Sequence, residues 1–319
     1  MLDVKASSGG GVAGELGRSL HTRSGRSFDR RTRLSFYNRT FKVICIASAI
    51  FVCLILFSIL FLMGRTGMLT FNEVSVAEFF FSTEWVPENE QYGALVFISG
   101  TFVLTALTML ISVPISVLVA VFLAEMSPRW LRTLLRPVLD LLVGIPSVVY
   151  GFLGMTILIP VLRDITGTNI GDGLLAAAIV LTIMVLPTIS RISDDAITAV
   201  PKKYRDASYA LGASRFQTIV KVVLPAARSG IMYAGILGMA RAIGETMAVV
   251  MVIGNTPQLA SALFQPTAVL TSNIVMQIAN VPFDSTWNYA LYMMGFLLLL
   301  ISLLMIVAIR MLQRKGAVS

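Results

Sequence analysis

The chain has 319 residues, of which 56% are hydrophobic and 13% are charged, and it carries a net charge of +8. That is about half the charged share of an ordinary globular domain. So much apolar surface cannot be hidden from water in a chain of this size, which excludes a soluble enzyme or binding module and points to helices that cross a lipid bilayer.

Residues 1–40 are rich in Gly, Ser and Arg and poor in apolar side chains. They are expected to form a separate, disordered cytoplasmic tail. Its arginines (Arg18, Arg23, Arg26, Arg30, Arg31, Arg33 and Arg39) can rest on anionic headgroups of membrane lipid, at about 1 kcal/mol per charge near the surface, or can serve only to orient the chain. A transit peptide has a similar composition, but no cleavage signal is evident, and the first apolar run reads as an anchor.

Six apolar runs follow, at about 43–64, 94–123, 137–162, 173–190, 229–254 and 287–309. Each is long enough for a helix to cross a hydrocarbon core about 30 Å thick. With the N-terminus inside, 22 of the 25 Lys and Arg lie on the cytoplasmic face. Only Arg65 and Arg163 lie outside, and Arg241 falls within a span. The positive-inside rule therefore selects an all-α membrane protein with six transmembrane helices and both termini cytoplasmic, N-in/C-in. The basic balance reports orientation rather than a nucleic-acid partner. Cys45 and Cys53 are eight residues apart on one helix, about 12 Å, which is too far for a disulfide. His21 lies in the tail, and no His, Cys or carboxylate cluster has metal-ligand spacing.

The first outer loop, about 65–93, is acidic and aromatic. Phe79, Phe80, Phe81, Trp85 and Tyr92 are expected at the outer membrane interface or against a partner. The third run contains Gly144, Pro146 and Ser147, then Gly151 and Pro160. Proline removes a backbone donor, so this helix is expected to break or kink where it lines a cavity or packs on a neighbour.

The inner loop, about 191–228, reads as a compact knob. Pro201 can open a helix, Gly212 can end it at positive φ, and Ser214 can cap a second helix. The fifth run carries Arg241, at a cost of about 2.5–3.5 kcal/mol at mid-bilayer. Glu245 follows four residues later, on the same face of a continuous helix. Two roles are open for this pair. It is either a structural ion bridge or a substrate-path site, with Arg241 meeting an anion and Glu245 holding it in place. In the last outer segment, Leu270, Ile274 and Ile278 recur every fourth residue and predict a short amphipathic helix on or in the membrane.

Residues 206–225 resemble the EAA loop of ATP-binding-cassette (ABC) importer permeases, with Asp206, Ala207, Gly212, Val222, Leu224 and Pro225 at the required spacings. Asp206 stands for the family Glu, and Ser208 for the second Ala. Further stretches resemble the PstC-type permease of the phosphate importer. They are Leu142–Gly151 (Leu-Val-Gly-Ile-Pro-Ser-Val-Val-Tyr-Gly), Arg241–Val249 (Arg-Ala-Ile-Gly-Glu-Thr-Met-Ala-Val), Ile253–Leu259 (Ile-Gly-Asn-Thr-Pro-Gln-Leu), Thr83–Glu88 and Tyr92–Leu95. The resemblance runs from about Phe79 to Leu312.

It implies a type I ABC importer permease of a bacterial plasma (inner) membrane. It also implies a homologous PstA-type permease, a PstB-type ATPase dimer and a periplasmic PstS-type phosphate-binding protein as partners. Asp206, Ala207, Ser208, Gly212, Leu224 and Pro225 would dock on the ATPase. Arg241, Glu245, Gly144, Pro146 and Ser147 are the substrate-path candidates. No G-x-x-x-x-G-K-[ST] motif is present, so ATP and Mg are expected on the partner ATPase, with no cofactor and no covalent chemistry in this chain. Another oxyanion (molybdate, tungstate or sulfate) is the alternative cargo. A self-contained channel or secondary transporter would need no EAA loop, and a membrane sensor would need a signalling domain.

Overall fold

The computed structural model describes residues 12–167 and 170–316, with side chains described over 39–167 and 170–311. Two compact units divide the chain at Phe61/Leu62. In the first, helix α1 (Val12–Met68) begins and runs on past residue 61. Through residues 12–40 α1 is helical. The first proline of the chain is Pro87, so nothing removes a backbone donor along this stretch. The lipid contacts expected of the tail arginines before Arg39 lie outside the described side chains. From Phe41 to Ile59 the apolar residues are exposed, which a lipid solvent favours.

The second unit opens with α2 (Val76–Phe81), whose first turn is capped by the Ser75 side chain accepting from the Glu78 N–H at 3.1 Å. A two-stranded antiparallel hairpin follows, β1 (Trp85–Val86) and β2 (Gln91–Tyr92), pairing Trp85 with Tyr92. Of the aromatic residues expected at the outer interface or against a partner, Phe79, Trp85 and Tyr92 are buried, Phe80 is half-buried and Phe81 is exposed. Trp85 packs edge-on against both Tyr92 and Phe97, and its indole N–H donates to Gln277 Oε1 at 3.3 Å. The rings satisfy one another and so form a core of their own. Burial, together with Glu90, Glu73 and Glu88 nearby, pushes the Tyr92 phenol above its ordinary pKa.

The remaining helices then follow in order. They are α3 (Leu95–Val121), α4 (Arg129–Gly144), α5 (Ser147–Leu153), α6 (Ile159–Thr166), α7 (Leu174–Thr198), α8 (Lys202–Ala210), α9 (Arg215–Thr218), α10 (Leu224–Ile243), α11 (Met247–Val252), α12 (Leu270–Gln277) and α13 (Thr286–Gly316). Six helical stretches among the described residues are long and apolar enough to span: 39–72, 95–126, 147–166, 174–198, 215–243 and 286–311.

Two of these differ from the sequence expectation. The third span starts at Ser147, because Ile145 is extended ahead of Pro146 and the helix stops there. The segment before it, α4, carries Arg136 and Asp140 on the side that meets α7, and Arg132 donates to the Ala124 carbonyl. The fifth span runs from Arg215 and ends at Ile243, where Gly244 caps α10.

Helix α7 is the central post. Leu181, Met184, Val185 and Ile189 on it are fully buried, and it packs most extensively on α3 and α10. α3 meets it with Thr105, Thr108, Ser112 and Ser116, small residues that let two backbones approach. α12 exists where the periodicity placed it, but Leu270, Thr271, Ser272 and Asn273 are buried against the protein. The Leu270 N–H donates to Thr101 Oγ1 at 3.1 Å, so protein rather than lipid receives this helix.

Candidate translocation path and coupling knob

Two helix breaks lie side by side. One is Ile145–Pro146, between α4 and α5; the other is Gly244–Thr246, between α10 and α11. Beyond the breaks, α5 crosses α11 tightly. A Cβ on Gly151 would fall 2.8 Å from Ala248 Cα, so only glycine allows this approach. The Tyr150 hydroxyl reaches back across the first break and donates to Leu142 O at 2.9 Å.

Arg241, in the last turn of α10, joins the two breaks. It donates to Thr188 Oγ1 of α7 at 3.1 Å and to Val143 O at 3.4 Å. Val143 O is one of the carbonyls left without an intrahelical partner where α4 stops, and a cation suits that negative helix end. A guanidinium has five N–H donors, so two contacts leave donors over. Arg241 is half-buried.

Glu245 does not meet Arg241. Because α10 ends at Ile243, position 245 leaves the helical face that the sequence reading assumed. Its carboxylate instead accepts the Ala248 N–H at 3.2 Å and caps α11, and its carbonyl accepts from Thr271 Oγ1 at 3.2 Å. Among the described ion pairs neither residue takes part. The structural ion bridge between them is therefore corrected. Gly144 and Pro146 are exposed, and a Cβ on Gly144 would meet nothing within 4 Å. Ser147 begins α5, half-buried. The structure thus gathers Gly144, Pro146, Ser147, Arg241 and Glu245 at the paired breaks.

On the cytoplasmic side the knob is built by local rules. Pro201 precedes α8, and Gly212 turns the chain at φ 80°. Ser214 caps α9 in a reciprocal box with Gln217: Ser214 Oγ accepts the Gln217 N–H, and Gln217 Oε1 accepts the Ser214 N–H at 2.9 Å. The buried Ser208 Oγ meets Thr218 Oγ1 at 2.9 Å, bolting α8 to α9. Asp206, Ala207 and Pro225 are exposed. Leu224 packs from the other side onto Ala120, Ile197, Val200 and Val223. Leu211 and Phe216 project from the knob with 89% and 75% of their surface exposed, far beyond what an isolated loop gains by exposing them.

The sequence reading missed what holds the knob to the spans. Arg205 donates from Nε and Nη2 to Glu125 Oε1 at 3.0 and 2.6 Å, and to the carbonyls of Val200 and Ile197 at 2.6 and 3.0 Å. Arg215 donates to the Glu125 carbonyl. Nearby, Arg136 grips the fully buried Asp194 in a two-pronged pair at 2.7 and 2.9 Å. Arg191 joins Asp140 to Asp195. The signal available was the Asp194–Asp195 pair at the end of an apolar span, which demands cationic partners.

The family model for the binding-protein-dependent transport system inner membrane component matches residues 112–317, and the chain belongs to that family. It is 42% identical over 308 residues, 94% of this chain and 100% of the relative, to the probable ABC transporter permease protein YqgH of Bacillus subtilis strain 168. It is 36% identical over 292 residues, 85% of this chain and 89% of the relative, to the phosphate transport system permease protein PstC of Xylella fastidiosa strain Temecula1. The PstC of Haemophilus influenzae is 32% identical over 256 residues, 74% and 81% of the two chains.

Two solved transporters share the fold. One is the MetNI methionine ABC transporter in an inward-facing conformation, with TM-score 0.52 and 23% identity over 70% of this chain and 94% of that chain. The other is a bacterial alginate ABC transporter in complex with an alginate-bound periplasmic protein, with TM-score 0.59 and 14% identity over 85% and 94%.

Proposed function

We propose that this multi-pass protein is one half of the membrane channel of an importer that carries inorganic phosphate inward across a bacterial plasma (inner) membrane. Arg241 carries the reading. Its guanidinium is tied at the paired breaks by two neutral oxygens and keeps donors free. A planar fork of donors suits the oxygens of a tetrahedral anion. Likeness to the PstC proteins supports phosphate as the cargo.

In this reading a homologous PstA-type permease completes the channel, and a PstS-type protein delivers phosphate at the outer face. A PstB-type ATPase dimer receives Leu211, Phe216 and the exposed flank of Asp206 and Ala207. ATP and Mg are bound there, and this chain performs no covalent step. Closure of the dimer pulls the knob. Through Arg205–Glu125 the pull reaches α3, and through Leu224 and Pro225 it reaches α10, where Arg241 lies at the far end.

Reconstituted complex in liposomes, with the loaded binding protein outside and ATP inside, should accumulate labelled phosphate. A tenfold excess of sulfate or molybdate should leave that uptake unchanged. Uptake blocked by molybdate or sulfate, with phosphate ineffective, would replace phosphate by that oxyanion as cargo. Uptake without the ATPase would instead make the chain a self-contained channel.

A further inference from the structure

A polar pocket, of about 440 Å³, lies at the outer ends of α6 and α11. Its walls are apolar on one side, with Met155, Ile159 and Met251, and on the other it holds Arg163, Asp172 and Asn255. Arg163 is one of only two cations placed outside by the charge pattern. Arg163 Nη2 and Asp172 Oδ1 are 3.7 Å apart, an ion pair longer than a hydrogen bond. The carboxylate therefore holds the guanidinium loosely.

The backbone has been cleared for both groups. A Cβ on Gly171 would lie 2.7 Å from Arg163 Cγ, and one on Gly254 would lie 2.8 Å from Asp172 Oδ2. Asn255 completes the set. Its amide nitrogen donates to Val250 O at 2.7 Å, which fixes the orientation of the group. Its Oδ1 is buried and has no partner. A buried acceptor without a donor is destabilising, and a ligand that brings an O–H supplies what it lacks.

We propose that this pocket is an outer way-station for an oxyanion that carries a hydroxyl. Arg163 exchanges Asp172 for the anion's oxygens, and Asn255 Oδ1 accepts the anion's O–H. Hydrogen phosphate has both features at neutral pH. Sulfate and molybdate are fully deprotonated there and would set an oxygen against the Asn255 oxygen. A site built to hydrogen-bond a hydroxyl rejects the analogue that lacks it far more strongly than shape alone can. α11 links the two stations over six residues, about 9 Å of helix. It has Glu245 at its inner end and Gly254–Asn255 just past its outer end. The inference rests on the anion reading of Arg241, but its test reads binding rather than transport.

The test uses the assembled complex in nanodiscs, with Cys45 and Cys53 replaced by serine and Met155→Cys as reporter. The rate at which a small neutral maleimide modifies Cys at 155 is measured against added inorganic phosphate, sulfate and molybdate. Phosphate should slow modification at concentrations at least tenfold below those at which sulfate or molybdate does. Arg163→Gln should abolish the protection. Asp172→Asn should lower the protecting phosphate concentration severalfold, because the guanidinium is no longer engaged. Asn255→Gly, which tolerates the φ of 47° at this position, should bring phosphate and sulfate together.

Protection that survives Arg163→Gln, or no protection at all, overturns the site. Equal protection by phosphate and sulfate overturns the hydroxyl selection. If the site behaves as proposed but liposomes fail to accumulate labelled phosphate, the cargo assignment falls while the pocket stands.

Discussion

Replacing Glu125 by Gln should disconnect ATP hydrolysis from transport without unfolding the spans. Glu125 and Arg205 have side chains only 9% and 16% exposed, and two guanidinium nitrogens share one carboxylate oxygen. Removing one partner of a buried pair costs about 3–5 kcal/mol, because the other charge is left behind. Glutamine keeps an acceptor oxygen, and Arg205 keeps the Val200 and Ile197 carbonyls, so the loss belongs at the low end, about 3 kcal/mol. At 1.4 kcal/mol per factor of ten, that shifts the docked state of α8 on α3 by roughly a hundredfold. The knob still seats on the ATPase, since Leu211 and Phe216 are untouched. Its movement then no longer reaches α3. In proteoliposomes, ATPase stimulation by loaded binding protein should persist, while phosphate moved per ATP falls at least tenfold. The double variant Glu125→Gln/Arg205→Gln should recover assembly and stay uncoupled. Wild-type phosphate per ATP in fully assembled Glu125→Gln would show that force reaches the spans by another route.

The remaining expectations concern the turn, the cation and the topology. Gly212→Leu meets no neighbour at its Cβ but must hold φ near 80°, a backbone cost of about 1–2 kcal/mol. It should therefore lower transport per ATP while Gly212→Asn does so much less; equal effects would point to lost contact rather than strain. Because Arg241 and Glu245 bind separate partners, Arg241→Gln/Glu245→Gln should be no better in uptake than Arg241→Gln alone, and Arg241→Lys should restore only part of the rate. Recovery in the double variant would restore the ion bridge that the geometry removes. With the native cysteines replaced, Asn89→Cys should react with an impermeant thiol reagent from outside and Ser214→Cys only after permeabilisation. The reverse would invert the whole orientation.

Much of this protein was legible in one dimension because lipid imposes its own accounting. A span needs an unbroken apolar run, and lysine and arginine stay on the side where they begin, so the number of spans and their direction follow from composition along the chain. The knob was legible for a similar reason. Pro201, Gly212 and Ser214 act through their own backbone and near neighbours, and local rules need no tertiary partner. What required the tertiary structure was every contact between residues distant in sequence. The periodicity of the fifth run set Arg241 and Glu245 on one face only if the helix continued, and Gly244 ended it in favour of a new helix capped by Glu245. The third run announced a break or kink at Pro146, but that its first part would leave the span was decided by the charges of α4 meeting Asp194 and Arg191 on α7, 50 or more residues away. Arg205 and Glu125 are 80 positions apart, and nothing in either neighbourhood names the other. Hydropathy and local turn chemistry are properties of a segment. The pairing of buried charges belongs to the packed whole, because a charge takes whichever partner the fold brings within reach.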